Sequence, residues 1–293
     1  MLAGHAATLE AVSFIGADLS PIDAAFFPID VDAALSPLRL LVGMPNLRQL
    51  TSRLMPGLRE VAACKSLRSL KLTVDAEVES VSQEHEHGAL ELLRSAHQLR
   101  SLHLHFLHDV DVDEDGDIIE IFADDLIGAL ASSGRSQVEV LFIEVEGASH
   151  DLILGQLGSA LPSLPSLRRL EINMDQDPDM LLRLITPVTA PSLRSLQIRA
   201  FEATHDICAH AFLHSEELES LMSRNPLLHV EQQYVSCRAF RNMCDVCKLS
   251  CHKDVDEFEL LGTFAHPKDE CPSPEAHAAI ERCCWVHIND VQH

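Results

Sequence analysis

Leu67-Arg-Ser-Leu70-Lys-Leu72 returns as Leu99-Arg-Ser-Leu102-His-Leu104, Val138-Glu-Val-Leu141-Phe-Ile143, Leu167-Arg-Arg-Leu170-Glu-Ile172 and Leu193-Arg-Ser-Leu196-Gln-Ile198. Each is an L-x-x-L-x-L box or its Val/Ile equivalent. The second half of each box reads as a strand. Leu70 and Leu72 point to one side and Lys71 to the other, by the two-residue period of extended chain. The first Leu sits just before the strand and adds to the same core. A unit this short cannot bury its own apolar face, so the recurrence predicts stacked units that share one continuous core.

Between the boxes the pattern turns helical. Asp177-Pro178-Asp179 opens a segment to Ile185 with a capping Asp and a Pro at the first helical position. Ile118, Ile121, Phe122, Leu126, Ala129 and Leu130 recur at helical spacing between Asp117 and Ala131. Pro165-Ser-Leu167 and Pro191-Ser-Leu193 mark the turns into two strands. Box starts at 67, 99, 138, 167 and 193 give intervals of 32, 39, 29 and 26 residues, long enough for a full helix in each unit. The expected fold is therefore α/β: a leucine-rich repeat solenoid, a curved horseshoe with parallel strands concave and helices convex. Looser boxes at Leu9-Glu-Ala-Val12-Ser-Phe14, Leu47-Arg-Gln-Leu50 and Leu227-Leu-His-Val230 flank the five, with a helix expected over Glu216 to Ser223. The solenoid is assigned to residues 1–235. Residues 236–293 form a Cys-rich helical C-terminal cap, because an open stack exposes its last core layer.

Composition narrows the function. The 293 residues are 46% hydrophobic but only 4% aromatic, with one Trp and one Tyr, so the core must be aliphatic. The net charge of −23 argues against nucleic acid and anionic membrane, whose binders carry basic patches. It permits a basic protein partner, or serves solubility alone. No apolar run reaches membrane-spanning length. The N-terminus lacks the basic region of an export signal. Nine Cys, seven after residue 236, then read as reduced thiols, and a cytoplasmic or nuclear monomer is expected.

The array resembles leucine-rich repeat proteins of the long-repeat, ribonuclease-inhibitor style. Its Leu-Arg-Ser-Leu boxes, joined by Ala-Pro-Ser-Leu and Leu-Pro-Ser-Leu, look like the repeat regions of fungal F-box-like proteins. The resemblance covers about residues 8–235. It departs from the family at the Asn after the strand, which is Asp75 and Asp175 in two units and missing in three, and no F-box segment precedes the repeats. It implies a protein-interaction scaffold, with substrate recognition in a ubiquitin-ligase-type system as the specific expectation.

The outward strand positions supply the candidate protein-binding residues: Lys71 and Thr73, His103 and His105, Phe142 and Glu144, Glu171 and Asn173, Gln197 and Arg199. They should line the concave sheet as two columns, with Phe142 an exposed aromatic anchor in a polar field. No catalytic residue is assigned, since the chain has no nucleophile elbow, phosphate loop or His-Glu-x-x-His, and no cofactor is expected.

Three local constellations compete with that reading. Asp111, Asp113 and Asp115 with Gly116 imitate a calcium loop, but the twelfth position is Phe122 rather than Glu; a solvated acidic loop is preferred. His85, His87, His97, His103, His105 and His108 crowd one window, where a wet surface is the simpler account and a metal or a pH sensor the alternative. Cys244-x-x-Cys247 is a zinc half-site that Cys271, Cys283, Cys284 or His266 would complete. Yet Cys237, Phe240, Cys244, Cys247 and Cys251 also form one helical stripe of small hydrophobes. A final helix is expected from Ser273 to Val291. The competing functions are a zinc-organised regulatory module built on this tail, and a structural fragment with no dedicated partner.

Overall fold

The computed structural model describes residues 8–14, 37–75, 83–107, 125–145, 151–173, 178–199, 215–235, 260–266 and 282–287. The chain divides into two compact units, Met1–Ser166 and Leu167–His293.

In the first unit five strands run in chain order: β1 (Ala11–Phe14), β2 (Gln49–Arg53), β3 (Ser69–Asp75), β4 (Ser101–Leu107) and β5 (Val140–Val145). Each pairs in parallel with the next. Register follows the boxes. Leu70 stands beside Leu102 and Leu102 beside Leu141, while Leu72, Leu104 and Ile143 form the next row. All six are at most 1% exposed, as is Phe106 further along β4. Burial alternates without exception along β4 and β5, which is how a strand displays one apolar and one polar face. The crossovers carry helices α1 (Leu58–Val61), α2 (Gln83–Ser95) and α3, helical through residues 125–132; α4 (Asp151–Ala160) follows β5. Leu58, Val61, Ala89, Leu92, Leu93, Leu126 and Ile127 are buried on their inner faces. Gly57, with φ at 94°, turns the chain into α1 through a conformation that glycine adopts without strain.

The Leu-Arg-Ser triplet has a backbone role. The Arg68 carbonyl accepts from the N–H groups of both Arg100 and Ser101, at 2.7 and 3.0 Å, and Arg100 does the same for Glu139 and Val140. Before each box a tight turn closes through Leu67 N–H to Cys64 O and Leu99 N–H to Ala96 O, both 3.1 Å. The Arg68 guanidinium then donates to the Lys65 and Leu67 carbonyls, and Arg194 repeats this at Pro191 and Leu193. Two diverging N–H groups on one planar head suit that clip, and a lysine ammonium does not reproduce it.

The second unit starts in the same style. Strands β6 (Arg169–Asn173), β7 (Ser195–Arg199) and β8 (His229–Val235) are parallel neighbours, with Leu170 beside Leu196 and Leu196 beside Val230. Helices α5 (Asp179–Leu184) and α6 (Glu216–Arg224) fill the crossovers. Ser215 caps α6 by accepting from Leu218 N–H at 3.1 Å, and Glu216, Glu217 and Glu219 occupy its first turn, where carboxylates suit the helix dipole.

Two expectations change here. The last box was expected to start at Leu227, but Leu227 is 52% exposed and Leu228 is 1%. One residue rather than two separates the inward Leu228 from Val230, so this box is one residue shorter. The helix expected over Ser273 to Val291 is a strand between Arg282 and His287: β8 pairs antiparallel with β9 (Leu260–His266), and β9 pairs parallel with β10 (Arg282–His287). Cys283-Cys284-Trp285-Val286 is a short apolar run compatible with either period, and its Trp and Val favour extended chain. The Cys237–Cys251 stripe lies outside the described residues.

Candidate functional site

In the first unit, register gathers six of the ten candidate residues. Lys71 lies beside His103 and His103 beside Phe142; Thr73 lies beside His105 and His105 beside Glu144. These are the two expected columns, on the face opposite the leucine rows.

Glu144 is the hub of this face. Its Oε2 lies 2.9 Å from His103 Nε2, 3.7 Å from His105 Nε2 and 4.0 Å from Lys71 Nζ. The carboxylate is 12% exposed. The His103 ring stacks on Phe142, centroids 4.1 Å apart and planes at 24°, and stands 6.0 Å from the His105 ring. Phe142 is therefore half-buried and shares its face with an imidazole, where a fully exposed anchor was expected. Strand neighbours on one face lie close enough for such rings to meet.

Burial, and then the nearby charge of Lys71, push the His103 imidazole down to about 4, against the opposing pull of Glu144. His103 is thus neutral at pH 7. A carboxylate oxygen only accepts, so Nε2–H is the donor and Nδ1 is left as an acceptor. The result is a polar floor in which the His103–Phe142 patch lies beside Glu144 and Lys71, and neither His103 nor Phe142 adds charge.

The other four candidates sit in the second unit. Glu171 stands beside Gln197, and Asn173 beside Arg199. Here the expectation of an open surface is corrected: Glu171 is 7%, Asn173 2% and Gln197 3% exposed. Alternation along a strand assigns a side chain to a face but does not say whether that face is covered. Burial of Glu171 and Gln197 is tolerated because both are paired. Arg169 Nε lies 2.6 Å from Glu171 Oε1, and Arg199 Nη2 lies 3.1 Å from Glu171 Oε2. Arg169 Nη2 donates to Gln197 Oε1 at 2.8 Å, and Gln197 Nε2 donates to Glu231 Oε1 at 3.0 Å. Asn173 Oδ1 is buried and accepts from none of the described residues. Arg169 and Glu231 are members of this network that box reading passed over. Arg169 belongs to a third column, the residue before the second Leu, and Glu231 holds the position that Gln197 holds one strand earlier.

Among the described residues, no group of three His, Cys, Asp or Glu is placed to hold a metal ion. Asp111, Asp113, Asp115, Cys244, Cys247, Cys271 and His108 lie outside the described residues; Cys283 and Cys284 fall in β10. His87 on α2 is exposed and His97 half-buried. The one thiol with a described environment, Cys64, is buried and donates to the Leu41 carbonyl at 3.3 Å. No described helix is long and apolar enough to cross a membrane.

No protein-family model matches the chain, and no curated protein matches it.

Proposed function

We propose that the chain is a leucine-rich repeat scaffold that captures a protein partner on the polar face of β3–β5. One observation carries the reading: His103, Phe142, Glu144 and Lys71, spread over 74 positions of sequence, meet in register on one face. A ring pair offering flat apolar area at small entropic cost, beside groups that fix orientation, is the composition from which interface anchors are made. On β6–β8, Glu171 and Gln197 are buried and paired with Arg169, Arg199 and Glu231, so the reading assigns them to conformational specificity rather than to recognition. By its resemblance to F-box-like repeat regions, the scaffold selects substrates for a ubiquitin-ligase-type assembly in the cytoplasm or nucleus, as a binder and not a catalyst.

The test is capture of partners from the native cell by the full chain, with and without Phe142→Glu and His103→Glu together. The double variant keeps the leucine rows, so circular-dichroism melting is expected to show it folded, and it is expected to lose its partner. Undiminished capture moves the site off this face.

A further inference from the structure

Resting on the reading of β3–β5 as the docking face, we propose that the partner is recognised through a basic segment, one arginine or lysine of which seats over the Phe142–His103 stack and pairs with Glu144. Three observations converge on this. First, Glu144 is a carboxylate on the outward columns of β3–β5, and its surroundings already hold a cation loosely. Lys71 Nζ stands 4.0 Å from Oε2, at the limit of an ion pair, with its side chain 36% exposed. Lys71 therefore marks the place of the cation and occupies it weakly.

Second, the rings beside Glu144 are built for a cation. Phe142 and His103 are stacked at 4.1 Å. A guanidinium or ammonium above an aromatic face is attracted by the ring, and a planar guanidinium stacks on it as well. His103 is neutral at pH 7, as argued above, so it does not repel an incoming cation; its bond to Glu144 keeps ring and carboxylate on the same side. Third, the chain carries 45 acidic against 22 basic residues. A field of that sign draws a basic segment toward the molecule and repels an acidic one.

The pairing also explains why a carboxylate that is 12% exposed sits among donors and is not replaced by an apolar residue. A partially dried carboxylate forms a strong, directional ion pair when a fixed second charge arrives. Lys71 competes for it, which gives the proposal a signature that net charge alone does not produce.

The experiment uses the full chain and a fluorescein-labelled hexa-arginine amide, with a hexa-glutamate peptide as counter-probe, read by fluorescence anisotropy at low and at physiological salt. Hexa-arginine is expected to bind saturably and hexa-glutamate not at all. Glu144→Gln should weaken hexa-arginine about tenfold, the loss of one charged hydrogen-bonded pair. Glu91→Gln removes the same charge from the exposed outer side of α2, beside Arg94, and should leave affinity unchanged. Lys71→Met should tighten binding several-fold by removing the competitor. Circular-dichroism melting of each variant confirms that it is folded. Equal losses in Glu144→Gln and Glu91→Gln overturn the proposal, since the peptide then follows net charge alone. So does unchanged or weaker binding by Lys71→Met. If hexa-arginine ignores Glu144→Gln while Phe142→Glu with His103→Glu still abolishes native capture, the basic segment falls and the docking face stands. If native capture survives that double substitution, the docking face itself falls.

Discussion

Replacing Leu104 by Ala and, separately, His105 by Ala tests the assignment of faces at adjacent positions of one strand. Leu104 lies in the centre of β4, between Leu72 and Ile143, and is 0% exposed. Removing three buried carbons costs their transfer free energy plus the cavity they leave, about 2–5 kcal/mol. The upper half of that range applies, because Leu104 is flanked by fully buried aliphatic side chains and parallel strands on both sides restrict collapse. His105 points the other way, with its side chain 16% exposed. Ala there opens no cavity between the leucine rows, so it should cost less than about 1 kcal/mol. With a urea slope of about 2 kcal/mol/M, Leu104→Ala moves the first unit's midpoint down by about 2 M and His105→Ala by less than about 0.5 M. The assay is urea unfolding followed by far-UV circular dichroism. Equal shifts, or the reverse order, would refute the register, because a one-residue slip exchanges the two faces of the whole strand.

Two more expectations follow from the same geometry. His103 is held to about 4 against an ordinary 6.5, so between those values the unfolded chain binds more protons than the folded one. Its contribution to stability is then complete above pH 6.5 and is lost as pH falls toward 4; His103→Gln should flatten that part of the curve of urea midpoint against pH, and an unchanged slope would place His103 in water. Leu170→Asp puts a carboxylate at a fully buried position beside Leu196, which costs several kcal/mol. Thermal melting should show the second unit unfolded at 37 °C, and an unaltered melting curve would mean that Leu170 faces outward.

The core was readable because each box repeats the same arithmetic. Leu70, Leu102 and Leu141 share a box position, so stacking units at equal phase must put them side by side. The same arithmetic placed Lys71, His103 and Phe142 in a column. It did not predict that His103 covers Phe142, since that depends on rotamers chosen across two strands. Nor did it predict that Glu171 and Gln197 are buried, because periodicity assigns a side chain to a face and is silent about what lies over it. Arg169 was overlooked because the corresponding position in three of the other four boxes is Ser69, Ser101 or Ser195, small residues that draw no attention. At the C-terminal end the reading failed for a different reason. Leu227-Leu228 offers two equivalent leucines, and only the shortened turn decides which one enters the core. The run Cys283 to Val286 fits a helix or a strand equally by pattern, and its strand pairing with residues 261–265 is a long-range contact that no local window contains.

The docking claim is tested most directly by placing a photo-crosslinking side chain in the full chain at Thr73, in the column of His105 and Glu144, and at Val188, an 84% exposed position of the second unit. Each protein is irradiated in the native cell. The account predicts a covalent partner adduct at 73, lost when Phe142→Glu and His103→Glu are added, and none at 188. An adduct at 188 without one at 73 would contradict it.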